Sequence, residues 1–75
     1  MAKLLKTLCK ELDLEQDYQY FEYLIESKIN GNYSQLREGF KAMKKDDQRT
    51  FLNDHLGMNV VDQEVKHICI EELTN

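Results

Sequence analysis

The side chains of this chain that could do chemistry are few and widely spaced. Two cysteines, Cys9 and Cys69, and two histidines, His55 and His67, supply all the thiol and imidazole groups in 75 residues. Structural zinc sites gather such ligands in close pairs, with roughly two to five residues between partners. His67 and Cys69 are too close for that pattern, and on a helix their spacing turns them to different faces. Cys9 and His55 are isolated in the sequence. The spacing predicts no metal site and no cofactor. A nucleophilic cysteine needs its thiolate stabilised in an electropositive, partly open setting. Cys9 has Lys6 and Lys10 nearby but shares a helical face with Leu5, Leu8 and Leu12, where cysteine acts as a small hydrophobe. Glu11, Glu15, Glu22 and Glu26 could pair for acid–base work, yet their spacing gives a solvated outer face rather than a shared apolar pocket. Phosphate-cradling glycine motifs and the nucleophile-elbow motif are both missing. These observations predict no enzyme and no small-molecule substrate.

Two stripes could instead recognise a macromolecule. Gln16, Tyr20, Tyr23 and Ser27 recur at helical spacing on a second face of their helix, with Gln19 alongside. Tyrosine buries much area at little entropic cost and keeps a polar tip, so such a face is a candidate surface for an unknown protein partner or for a homodimer. The blander interpretation packs Tyr20 against the first helix and leaves Tyr23 a lone exposed aromatic. Val60 and Ile70, both directed away from the inner face of the last helix, form a smaller second candidate. The other stripe is basic: Arg37, Lys41, Lys44 and Lys45, which Arg49 extends. It could contact phosphates. An isoelectric point near 5.0 has the wrong sign for a dedicated nucleic-acid binder, however, and the acidic second helix offers an intrachain complement. Nucleic acid is therefore the alternative partner and not the favoured one.

The elements that must position these residues are read from periodicity. Leu4, Leu5, Leu8, Cys9 and Leu12 predict a first helix over about residues 2–12. Asp13 is its successor's expected N-cap, with Gln16 completing a capping box. Leu14, Tyr18, Phe21, Leu24, Ile25 and Ile29 make the apolar face of the second helix, which Asn30-Gly31 terminates. Asn32 or Ser34 caps a third, with Tyr33, Leu36, Phe40 and Met43 inward and Gly39 available for a close backbone approach. Asp46-Asp47 opens a fourth carrying Phe51, Leu52 and Leu56 up to Gly57. Val61, Val65, Ile68, Cys69 and Leu73 define a last helix starting near Asn59 or Asp62. The expected fold is an all-α compact bundle of four to five short helices in a single domain, residues 1–75.

Charge runs in blocks along this order. Residues 1–10 carry +3, residues 11–27 carry −6, residues 28–49 carry +3 and residues 50–75 carry −4. Alternating signs suit helices that pair with one another better than a single-sign binding face. Lysines at positions 3, 6 and 10 interrupt any signal-like apolar run, and no apolar run approaches the roughly 18 residues of a membrane span. One possible cysteine pair is fewer than a small secreted scaffold uses. The expected location is the cytoplasm, with no membrane partner.

The stretch Ile29-Asn30-Gly31-Asn32-Tyr33-Ser34-Gln35-Leu36-Arg37-Glu38-Gly39-Phe40-Lys41-Ala42-Met43-Lys44-Lys45 resembles small uncharacterised helical proteins of bacterial phages and mobile elements. The resemblance implies a small intracellular accessory protein from a bacterium or its phage. It implies no activity and assigns no role to any residue.

Overall fold

In the computed structural model, which describes residues 2–74, the first helix is shorter than its periodicity predicts. Helix α1 spans Leu5–Glu11, because Lys3 is drawn out of it: the Lys3 N–H donates to the Ala42 carbonyl at 2.8 Å in an isolated parallel bridge. Asp13 does not cap the second helix. It closes the first, in the left-handed conformation at φ 60°. The Leu14 N–H reaches back to the Cys9 carbonyl at 2.8 Å and the Asp13 N–H to Lys10 at 3.2 Å, the paired bonds of a Schellman turn. Aspartate is one of the few non-glycine residues that tolerate this conformation. Helix α2, Asp17–Ile29, therefore starts later, at Gln16. The Gln19 side-chain oxygen accepts from the Gln16 and Glu15 backbone N–H groups at 2.9 and 2.8 Å, satisfying donors that a helix start leaves free.

Gly31 terminates α2 as expected, at φ 77°, with Asn32 donating to Ser27 and Gly31 to Lys28 in a second Schellman turn. Asn32 then caps α3, Tyr33–Lys41, its side-chain oxygen accepting from the Gln35 N–H. Helix α4, Lys45–Thr50, begins under Asp46 and Asp47 and continues as one π-helical turn, Phe51–His55, closed by the Leu56 N–H on the Phe51 carbonyl. The widened turn stacks the His55 ring on Phe51 at 6.1 Å and brings it 5.1 Å from Phe21. In α5, Val60–Thr74, the first turn is capped by Asn59, whose side chain accepts from the Asp62 N–H at 2.8 Å. The Asp62 carboxylate in turn accepts from Gly57, fixing the connection.

These five short helices, with no strand among the described residues, form an all-α bundle around one core. Helix α2 is its centre and packs against α1, α3 and α5. Leu24, Leu36, Phe40, Met43, Phe51, Val65 and Cys69 are fully enclosed, and the Phe21, Phe51 and Phe40 rings run through the middle. The buried side of α2 is rotated from the expected one. Tyr20 and Ser27 are inside, while Tyr18 and Ile29 are exposed. Tyr33 and Leu73 likewise lie outside the core. Gly39 permits the close approach expected of it, but to side chains rather than backbone. A Cβ there would lie 2.5 Å from Leu24 Cδ2 and 3.3 Å from the Tyr20 hydroxyl.

Candidate functional site

The tyrosine stripe of α2 is not a free surface. Tyr20 is 3% exposed and Ser27 1%, and both face α3. The Tyr20 hydroxyl donates to the Gly39 carbonyl at 2.7 Å, and the Ser27 hydroxyl accepts from the Gln35 amide at 2.7 Å while donating to the Tyr23 carbonyl. Tyr23 is half-buried, its ring 5.8 Å from that of Tyr20. Gln19 serves the start of α2, and Gln16, its N-cap, is exposed there. The five residues expected to bind a partner therefore build the α2–α3 contact and the α2 cap. The cause is the absent Cβ of Gly39, which opens room for a tyrosine against α3. Burial, reinforced by the neighbouring Tyr23, pushes the Tyr20 phenol up to about 12.

The basic stripe is divided. Arg37 and Lys41 both approach Glu72 of α5, at 3.5 and 3.6 Å. Lys44 and Lys45 are exposed at the start of α4, and Arg49 is exposed one turn on. The complement is thus α5 and not the acidic second helix. Glu22 and Glu26 project from the solvent side of α2, whose α3-facing side is already taken by Tyr20, Tyr23 and Ser27. Among the described residues, only Lys28 carries α2 into a cross-helix pair, with Glu64 of α5 at 3.5 Å.

Cys9 and Cys69 are free, buried thiols, and burial raises both, Cys69 to about 12. A thiol held in its neutral form is a poor nucleophile. His67 lies on the exposed side of α5, paired with Glu71 at 3.3 Å and turned away from Cys69. Among the described residues, no three His, Cys, Asp or Glu side chains gather as metal ligands, and no buried side-chain nitrogen or oxygen lacks a hydrogen-bond partner.

The surface with unmet burial lies elsewhere. A groove of about 690 Å³ runs between α3 and the first half of α5. Tyr33, Met58, Val60 and Ile68 supply its apolar lining, Lys28 and Arg37 stand on one wall, and Gln63, Glu64 and His67 stand on the other. Met58 is 89% exposed and Val60 75%. The elements hold it firmly: Gly57 is bonded to Asp62 and Gln63, and Lys28 sits 5.5 Å over the Tyr33 ring while reaching Glu64. Of these residues the sequence singled out Arg37, in the basic stripe, and Val60, whose expected companion Ile70 is exposed but lies outside the groove. Tyr33 was masked by its helical register with Leu36 and Phe40. Met58 belonged to a connection with no periodicity to read.

No protein-family model, curated protein or solved structure matches this chain, and none connects residues 29–45 with phages or mobile elements.

Proposed function

We propose that this chain is a non-catalytic binding protein whose working surface is the groove between α3 and α5. One observation carries the reading. Met58 and Val60 stand almost fully in solvent beside Tyr33 and Ile68, on a lip pinned by the Asp62 and Gln63 bonds to Gly57. Isolated exposed apolar side chains are ordinary, but a contiguous set lining a groove and rimmed by charge marks an interaction site. The neutral, buried thiols support the non-catalytic part of this reading. Among the described residues, no helix is long and apolar enough to cross a membrane. With the resemblance of residues 29–45, the reading is a cytoplasmic accessory protein from a bacterium or its phage.

A benzophenone side chain placed at position 60 tests it. In a bacterial extract it should form discrete adducts that the same group at position 22, on the outer face of α2, does not. Met58→Asp should abolish them. Equal yields at both positions, or none at position 60, would place the working surface elsewhere.

A further inference from the structure

We propose that the recess between α4 and the end of α5 binds an acidic amphipathic helix of a partner protein. The site is independent of the α3–α5 groove. Its volume is about 220 Å³. Lys45, Arg49 and Asn53, at intervals of four residues along α4 and its π-helical continuation, line it with Gln48 and Leu52, and α5 contributes Leu73. The Gln48 amide, bonded to the Phe40 and Met43 carbonyls, ties this side of α4 to the core. Leu73 is 54% exposed, so the recess has an apolar wall that nothing in the described chain covers. The sign of the occupant follows from charge. Lys45 and Arg49 are the charged lining residues, and the acids of the same helix, Asp46 and Asp47, lie outside the recess. Among the described residues neither base makes an ion pair, although Lys28, Arg37 and Lys41 of the same basic block all reach acids of α5. No carboxylate of the described chain therefore occupies the place an incoming one would take.

Size and shape narrow the class. Small-molecule sites run to roughly 300–1,000 Å³. This recess is smaller and takes one apolar side chain whose owner lies outside it. No aromatic ring lines it, so a nucleic-acid base would find nothing to stack on. Lys45 and Arg49 stand one helical turn apart, an interval of about 5–6 Å. Carboxylates at i and i+4 of a partner helix match that interval, and a leucine at i+3 shares their face. In an extended segment, the residue between two such acids would point away from them. A contact this small is weak and exchanges quickly.

An amide NMR titration of the full chain tests the proposal, with a lactam-stapled Glu-Ala-Ala-Leu-Glu helix as probe and circular dichroism checking that each variant stays folded. Saturable shifts should centre on residues 45–53 and 70–74. Arg49→Glu should weaken binding at least about tenfold, since it sets like charges together. Leu73→Ala should weaken it several-fold by removing apolar contact. Lys6→Glu makes the same change of net charge on α1 and should leave the affinity within about twofold at physiological salt, where distant charges are screened. The probe with glutamine in place of both glutamates should not bind. Absence of saturable shifts, shifts centred elsewhere, or Arg49→Glu binding like the parent overturns the proposal. So does tighter binding at these residues by a single-stranded oligonucleotide or by phosphatidylserine vesicles, which would make the partner a nucleic acid or a membrane surface.

Discussion

The Tyr20 hydroxyl shows how much one missing methyl group can organise. Because Gly39 has no Cβ, the phenol lies against α3 and donates to the Gly39 carbonyl at 2.7 Å. Burial then holds its proton, with a folded value of about 12 against the ordinary 10. A proton held more tightly in the folded chain stabilises it fully below the unfolded value and is lost as pH rises through the folded one. Stability should therefore fall between about pH 10 and pH 12, by roughly 2–3 kcal/mol from this group. Urea titrations across that range check it. Tyr20→Phe should cost about 1 kcal/mol near neutrality and flatten the alkaline loss. Cys69, also raised to about 12 by burial, should leave a residual slope that starts lower, near its ordinary 9.

At the scale of elements, the chain reversals decide which faces meet. The α3–α4 corner is held by one buried amide: Gln48 Nε2 donates to the carbonyls of Phe40 and Met43 at 2.9 and 3.2 Å. Gln48→Ala should leave the Met43 carbonyl short of a donor in a buried place, since Phe40 keeps the Met43 N–H, and cost about 1–2 kcal/mol in urea denaturation, with helix content retained. Much of the element order was legible because its signals are local. Gly31 ends α2 and Asn32 caps α3 through bonds made within a few residues. Asp13 was not legible, since Asp serves both as an N-cap and in the left-handed position, and the choice turns on the bond from Leu14 to Cys9. The tyrosine face was misread for a further reason. Helical periodicity places Tyr20, Tyr23 and Ser27 on one side, but nothing in it says that a second helix covers that side. Helix α2 is central and buries more than one face. The groove escaped because its apolar lining comes from α3, a connection and α5, which no single periodicity joins.

At the scale of the molecule, charge is spent between helices. Glu72 receives Arg37 and Lys41, and Glu64 receives Lys28, so half of the basic residues from 28 to 49 are engaged with α5. Such pairs, each with one half-buried partner and one exposed, are worth roughly 1 kcal/mol apiece, which is enough to orient helices and too little to hold the fold alone. Lys44, Lys45 and Arg49 remain on the surface of a chain whose net charge is −4. Three cations release few counterions on meeting phosphates, so any nucleic-acid affinity should be lost well below physiological salt. A fluorescence-anisotropy titration with duplex and single-stranded oligonucleotides checks this. Tight binding at physiological salt, abolished by Lys44→Glu and Lys45→Glu, would make the basic stripe a functional surface.

The two buried sulfur atoms have a use in following the chain's own motions. Cys9 sits on the seven-residue α1 at the edge of the core, whereas Cys69 lies on α5 at its interior. A neutral, enclosed thiol reacts with an alkylating reagent only while its surroundings are open, so each labelling rate reports the free energy of one opening. Cys9 then times the detachment of α1, and Cys69 times the unfolding of the whole bundle. The difference between the two rates measures how far the first helix breathes independently of the rest, without any label or probe being built in.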